Sequence, residues 1–152
     1  MLFKKILKFI VQYTQRQALQ FGSKTSSSQA VGYKGEALAV QYLKGKGFKI
    51  ISRNWHHSSG EIDIIASDGP ILVFVEVKAR TQSSGNAAYY AVNAKKKDRL
   101  RKACAHYLRT LSSKPKHYRF DVIEIGLIPN KPYTVQHHIH VPLFSKYFFV
   151  PA

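Results

Sequence analysis

Cysteine, acidic residues and long apolar runs are all scarce in this chain of 152 residues. Its single cysteine, Cys104, cannot form an intramolecular disulfide, so we expect a protein of the reducing cytoplasm. No apolar run approaches the roughly 20 residues that a membrane-spanning helix requires. The hydrophobic fraction is nevertheless 45%, which is enough for the core of one compact domain, and the length leaves little room for a second.

The shortage of acids leaves the chain strongly basic. It carries 24 Lys and Arg against 8 Asp and Glu, a formal net charge of +16. A field of this sign attracts polyanions, which are nucleic acid or anionic lipid, whereas the plainest alternative is a solvated basic surface without a dedicated partner. We expect nucleic acid as the partner, although charge alone indicates no reaction. The few carboxylates become informative, because a protein this basic has little need of them for solubility.

The chain divides into three predicted regions. Residues 1–30 form a leader, in which 1–21 are a basic amphipathic helix and 22–30 a polar linker. The leader is a poor signal peptide, because a lysine interrupts its apolar stretch. A surface or partner-binding helix, membrane-surface contact and a nucleic-acid arm remain open interpretations. Residues 31–142 form the main domain, and 143–152 an aromatic C-terminal tail.

Hydrophobic periodicity and turn residues predict two helices and five strands in the main domain. An α/β fold, with a mixed sheet and helices packed on it, accounts for their order. The helices are predicted from about Tyr33 to Lys44 and from Ala94 to Leu111, and the strands over 48–53, 61–66, 71–78, 118–126 and 133–140.

Two charged residues lie on the apolar stripes of these helices. Glu36 is seven residues before Leu43 and therefore points inward or along the edge of the core, where a structural salt bridge is the alternative to a functional role. Lys96 is four residues before Leu100, so it continues the stripe of the second helix towards the buried face. Its plainer interpretation is a packed stem with the ammonium group reaching solvent.

The hairpin between the second and third strands brings carboxylates together. With Asp68 and Gly69 as the central turn residues, Asp63 lies opposite Phe74 and diagonal to Glu76. Alternation along the strands then places two sets of side chains on opposite faces. One face carries Glu61, Asp63, Phe74, Glu76 and Lys78, and the other carries Ile62, Ile64, Val73, Val75 and Val77.

Carboxylates that face one another repel, and burial makes each charge more costly. A hard divalent cation removes that cost, since one or two carboxylates hold it together with waters and phosphate oxygens. We therefore expect Asp63 and Glu76 to bind Mg²⁺ or Mn²⁺, with Lys78 beside them to contact a phosphate or orient the attacking water. A surface hairpin with ordinary cross-strand ion pairs is the alternative.

A zinc site is a further alternative, although its candidate ligands lack a neighbouring cysteine or an HExxH pattern. These candidates are His56, His57, His137, His138 and His140.

Five segments of the chain resemble, in order, the YraN-type family of predicted endonucleases, within the PD-(D/E)XK nuclease superfamily. They are GYKGEALAVQYL (32–43), GFKIISRNW (47–55), GEIDIIA (60–66), VFVEVKAR (73–80) and RFDV (119–122), and they span about residues 32–125. The resemblance implies a restriction-endonuclease-like fold, with a mixed β-sheet core flanked by helices. It also implies a distant relation to archaeal Holliday-junction resolvases.

Roles for single residues follow from the same resemblance. Ile62 stands where the superfamily name has proline, which removes no ligand, and Asp121 in the RFDV segment receives no role. The matched positions are Glu36 for the helix glutamate, Asp63 for the motif aspartate, Glu76 for the second acidic residue, Lys78 for the motif lysine and Lys96 for a lysine at the start of the next helix.

Together these patterns predict a Mg²⁺- or Mn²⁺-dependent nuclease acting on DNA, including branched or processed structures. Three alternatives stay open: a nucleic-acid-binding module that keeps the fold without turnover, a ribonuclease, and an adaptor that works through residues 1–21.

Overall fold

The sheet and both predicted helices of the main domain are present in the computed structural model, which describes residues 27–81 and 94–144. The elements are α1 (Ser27–Gly45), β1 (Lys49–His57), β2 (Gly60–Asp68), β3 (Ile71–Arg80), α2 (Ala94–Thr110), β4 (His117–Gly126) and β5 (Thr134–His138). The strands form one sheet in the order β1-β2-β3-β4-β5, in which β3 and β4 are parallel and all other neighbours antiparallel. The predicted mixed α/β fold is therefore confirmed. Neither described helix is long and apolar enough to cross a bilayer.

The two helices cover opposite faces of the sheet, because the central strands are apolar on both faces. In β3, Phe74 contacts the cluster that contains α2, whereas Val73 and Val75 contact the cluster that contains α1. In β4, Phe120 likewise contacts the cluster that contains α2, and Ile123 contacts the cluster that contains α1. We call these clusters the α2-side core and the α1-side core.

The boundaries of the packed region differ from the prediction at both ends. Helix α1 begins at Ser27, inside the predicted linker and ahead of the predicted start at Tyr33. Its first turns lie on the exposed side and need no apolar residues, so hydrophobic periodicity does not reveal them. At the other end, Leu143 is buried and Phe144 packs on the α2-side core, although both fall in the predicted tail. The predicted leader helix over 1–21 lies outside the described residues.

The register of the β2–β3 hairpin also differs from the prediction. Asp68 pairs with Ile71, so Gly69 and Pro70 are the central turn residues. Gly69 has φ +56°, and a positive φ at the first central position is what a type II′ turn requires of glycine. Pro70 lacks the N–H that the predicted pairing with Ser67 would use, which explains why the turn moves forward by one residue.

Alternation in β2 is interrupted next to Asp63. Ile62 packs in the α2-side core together with Ile65, whereas strict alternation predicted it on the face of Ile64. The prediction for Ile62 is therefore wrong. Pairing of β2 with β3 ends at Ile64 and Val75, immediately before Asp63.

Candidate active site

Asp63 lies where β2 and β3 separate. Beyond the last pair of this ladder, its Oδ2 atom accepts a hydrogen bond of 2.7 Å from the backbone N–H of Val77. The side chain of Asp63 in β2 thus replaces a backbone carbonyl as the hydrogen-bond acceptor for β3. The carboxylate is held in a fixed orientation beside Glu76, the preceding residue of β3.

Glu76 is the centre of a cluster of charges between β3 and α2. Its side chain is only 6% exposed, and its Oε1 atom accepts hydrogen bonds from Lys78 Nζ at 2.7 Å and Lys96 Nζ at 2.5 Å. Lys78 follows on the same face of β3, while Lys96 comes from the first turn of α2. The plainer interpretation of Lys96, an ammonium group that merely reaches solvent, does not describe this contact.

Burial and mutual repulsion act on the carboxylates of this cluster. Burial raises the pKa of Asp63 to about 7, and the negative charge of Glu76 adds to the effect, while the N–H of Val77 opposes it. Burial also raises the pKa of Glu36, against the lowering effects of a hydrogen bond from Asn54 and the charge of Arg53. Glu36 reaches the cluster from α1 and is close enough for its charge to influence Asp63.

The two lysines shift in opposite directions. Burial lowers the pKa of Lys78, and although the charge of Glu76 opposes this, the net direction is downward. Burial acts in the same sense on Lys96, but there the charge and the hydrogen bond of Glu76 outweigh it, so that the pKa of Lys96 is raised. Lys78 is therefore the lysine that gives up its proton more readily.

The donor set suits a hard divalent cation. Among the residues that the structure describes, Oε2 of Glu36 is buried without a hydrogen-bond partner, which is costly for a carboxylate oxygen and would be relieved by a cation or its bound water. In the described ranges no three His, Cys, Asp or Glu side chains converge closely enough to hold a metal ion between them. A cation on Asp63 and Glu76 would thus need further oxygens from water and substrate, which is the usual coordination of Mg²⁺.

Sequence periodicity did not reveal two groups that orient the carboxylates. Asn54, with φ +48° in β1, donates a hydrogen bond to Glu36, and the backbone N–H of Val77 holds Asp63. A positive φ at asparagine is tolerated more often than at most residues, but nothing in the spacing of the chain predicts it here.

The histidines of the zinc alternative are spread over different parts of the molecule. His56 lies 3.5 Å from Glu61 at one edge of the sheet, while the ring of His57 stacks on His106. At the other edge, His137 contacts Asp121 and His138 contacts Glu124. No zinc-type cluster forms among the residues that the structure describes.

Asp121 is fully buried on the face of the sheet opposite to Glu76. It accepts hydrogen bonds from Arg119 Nε at 3.1 Å and from the backbone N–H of His140 at 2.9 Å, and its Oδ2 atom lies 3.0 Å from His137 Nε2. Arg119 also donates to Asp68 at the β2–β3 turn. Asp121 therefore connects β4 to β5 and to the following segment, and it is not part of the Glu76 cluster.

Comparison with known proteins places the whole cluster inside one family. The model of UPF0102, described as an uncharacterised protein family, matches residues 35–125, a range that contains all five candidate residues. A UPF0102 protein of Symbiobacterium thermophilum is 46% identical over 98 residues, which cover 64% of this chain and 83% of the relative. UPF0102 proteins of Chlorobium limicola and Alkaliphilus oremlandii are each 41% identical, over 115 and 112 residues, covering 72% of this chain and 89% and 95% of the relatives. The chain belongs to the UPF0102 family, the YraN-type family that its motifs resemble.

Proposed function

We propose that this protein is a Mg²⁺- or Mn²⁺-dependent nuclease that hydrolyses phosphodiester bonds of DNA, including branched or processed structures. The observation that carries the proposal is the convergence of Asp63 and Glu76 with Lys78 and Lys96 at the point where β2 and β3 separate. Two carboxylates for a cation and two ammonium groups for a phosphate are what such a reaction needs. The net charge of +16 provides the attraction for the polyanion.

Each side chain has a distinct task in this proposal. Asp63 and Glu76 would hold the cation, which when bound neutralises phosphate charge and makes water a better nucleophile. Lys78 orients the attacking water, and its lowered pKa suits it to exchange a proton. Lys96 contacts a phosphate oxygen, and Glu36 positions water at the edge of the site.

A second candidate function is a nucleic-acid-binding module that does not turn over. The observation in its favour is that Lys78 and Lys96 already neutralise Glu76 through short hydrogen bonds. A closed ion cluster of this kind needs no cation for its stability. The two candidates differ in whether the cluster supports hydrolysis.

The first prediction compares wild type with Glu76→Gln, Lys78→Ala and the control Asp98→Asn. Asp98 is a half-exposed carboxylate on α2 that pairs with Lys102, outside the cluster. Branched, flapped, single-stranded and duplex DNA, and matching RNA, are incubated with Mn²⁺. Glu76→Gln and Lys78→Ala should each lose cleavage by at least about 100-fold, the scale of removing one group that stabilises developing charge.

Binding and melting temperature on the same samples separate the alternatives. Glu76→Gln should keep or increase DNA affinity, because a negative charge leaves the surface, whereas Lys78→Ala should bind somewhat more weakly. Cleavage that both variants retain would refute the site. A wild-type protein that binds DNA and Mn²⁺ but cuts no substrate would instead support the binding module.

A further inference from the structure

Three aromatic rings form a stack at the tip of the β1–β2 hairpin, beside α2. The ring centroids of His57 and His106 are 3.4 Å apart with an interplanar angle of 16°. Trp55 lies 5.9 Å from each of them and is also close to parallel with His57, at 18°. The rings of Trp55 and Tyr107 form a T-shaped pair in the α2-side core, which anchors the stack to the fold.

Local backbone geometry and packing position this stack. Trp55 and His57 lie two residues apart in β1 and so share one face, while the hairpin tip packs directly on α2. Gly60 has φ +149°, a backbone conformation that favours glycine, and a Cβ atom there would lie 3.2 Å from the carbonyl oxygen of Arg99, which is closer than most Cβ contacts. Nδ1 of His57 accepts a hydrogen bond from the backbone N–H of Ser59, which fixes the ring plane.

Two rings of the stack are accessible to solvent and do not contribute to the buried core. His57 is exposed and His106 half-buried, and neither forms an ion pair with a carboxylate within the described parts of the chain. Burial, followed by the charges of His57 and Arg109, lowers the pKa of His106, which favours a neutral ring at neutral pH. Flat rings that remain accessible at a basic surface are suited to stack with a nucleobase.

The charges around the stack complement a nucleic-acid backbone. Helix α2 carries seven Lys and Arg and one Asp over its 17 residues. Lys96, Arg99 and His106 follow one another at spacings of three and seven along one side of the helix, and the buried Ala103 between Arg99 and His106 faces the hairpin tip at Gly60. This side runs for about 15 Å from the candidate active site to the stack, the length of about four stacked nucleotides.

We propose that Trp55, His57 and His106 form a platform on which an unpaired base of single-stranded nucleic acid stacks, about four nucleotides from the phosphate held at Lys96. The inference rests on the proposed function, because it assumes a nucleic-acid substrate. It adds a preference for a single-stranded segment on one side of the cut. Such segments occur in flaps and at processed ends.

The second prediction uses Trp55, the single tryptophan of the chain, as a reporter. Full-length protein without divalent metal is titrated with a 12-nucleotide thymidine oligomer and with an abasic oligomer that has the same number of phosphates. The base-containing oligomer should quench Trp55 fluorescence and bind at least about 5-fold more tightly, since stacking of one base contributes about 1 to 3 kcal/mol. The abasic oligomer should bind without comparable quenching.

His106→Ala is the test variant and His106→Phe its ring-preserving partner. His56→Ala is the control, because His56 lies next to His57 in the chain but contacts Glu61 and is not in the stack. His106→Ala should lose about 5-fold or more in affinity for the thymidine oligomer and little for the abasic one, while His106→Phe and His56→Ala retain the preference. The phenylalanine variant separates loss of the ring from a packing defect.

The outcomes also distinguish this inference from the proposed function. Equal affinity and equal quenching with both oligomers, or equal weakening of both by His106→Ala, would overturn the platform while metal-dependent cleavage stands. Absence of binding to either oligomer at low salt would overturn the platform and the nucleic-acid function together. Duplex DNA that binds as tightly as the thymidine oligomer, with the same quenching, would contradict an unpaired base as the occupant.

Discussion

Asp63 is a largely buried carboxylate that lies next to a second carboxylate, Glu76. In the metal-free protein, the folded state therefore disfavours the ionised form of Asp63. An aspartate in the unfolded chain ionises near pH 3.9, whereas the pKa of Asp63 in the fold is about 7. Folding thus becomes less favourable as the pH rises from about 4 to about 7, and the penalty is constant above that range.

The third prediction is that Asp63→Asn stabilises the metal-free protein. The gain in the free energy of unfolding should be small near pH 4, grow up to pH 7 and then level off. Its upper limit is on the order of 4 kcal/mol, because a difference of one between the folded and unfolded pKa values corresponds to about 1.4 kcal/mol. Urea unfolding of wild type and variant at pH 4.5, 6 and 8 measures this dependence.

Asp98→Asn is the matched control for this measurement. The hydrogen bond from Lys102 lowers the pKa of Asp98, so its removal should bring no gain at any pH. Addition of Mg²⁺ or Mn²⁺ at pH 8 should stabilise wild type more than Asp63→Asn, because ligands bind the cation in their deprotonated form. No gain from Asp63→Asn at pH 8 would mean that the carboxylate is not under electrostatic strain.

At the scale of elements, the approach of α1 to β3 decides where Glu36 lies. Gly35 precedes Glu36 in α1, and a Cβ atom added there would overlap the Cβ atom of Ala79 in β3. The small residues on both sides let the helix lie close to the strand that carries Glu76 and Lys78. Without this approach, Glu36 would be further from the charge cluster.

The fourth prediction contrasts Gly35→Ala with Gly32→Ala in the same helix. Both changes improve helix propensity, but a Cβ atom at Gly32 meets no described residue within 4 Å. Gly32→Ala should stabilise the protein by up to about 1 kcal/mol, whereas Gly35→Ala should destabilise it by about 1 to 3 kcal/mol through overpacking. Thermal unfolding of the two variants beside wild type checks the sign, and a stabilising Gly35→Ala would show that α1 does not lie this close to β3.

Prediction from sequence succeeded for elements and was incomplete for their register. The apolar runs of β3 and β4 and the stripe of α2 identify strands and a helix with little ambiguity, and Lys96 follows from that stripe. The pairing of β2 with β3 depends instead on the positive φ of Gly69 and on the missing N–H of Pro70, which favour a turn one residue later than the Asp-Gly pattern indicates. Periodicity contains neither of these effects.

The position of Asp63 shows the same limit within the site. Sequence alternation predicted it diagonal to Glu76 in a continuous ladder, whereas the ladder ends before it and its carboxylate binds the N–H of Val77. That contact depends on the interrupted alternation at Ile62, which tertiary packing against α2 determines. The proximity of the two carboxylates could be predicted from sequence, but the reason for it could not.

At the scale of the whole molecule, most of the few carboxylates are paired with Lys, Arg or His side chains and contribute little negative charge to the surface. Within the described parts of the chain, six of the eight lie within 4 Å of a basic side chain, so the excess of positive charge is left to face the solvent. The pairs are Glu61 with His56, Asp68 and Asp121 with Arg119, Glu76 with Lys78 and Lys96, Asp98 with Lys102, and Glu124 with His138.

The fifth prediction is that affinity for DNA falls steeply with salt. Each phosphate that a Lys or Arg neutralises releases condensed counterions, so log K should decrease linearly with log salt, with a slope of about −0.9 for each phosphate on duplex DNA.

Two lysine variants locate the phosphates on the surface. Lys97 is an exposed lysine at the start of α2, and Lys97→Gln should reduce the magnitude of the slope by about one. Lys116→Gln, next to the strand end remote from Glu76, should leave the slope unchanged if the phosphates follow α2. Fluorescence anisotropy of a labelled duplex between about 50 and 300 mM KCl, about a 2.4-fold range in Debye length, measures all three proteins. An affinity that is independent of salt, or absent at low salt, would leave the +16 charge without a polyanionic partner, and equal slopes for the two variants would place the phosphate path elsewhere than along α2.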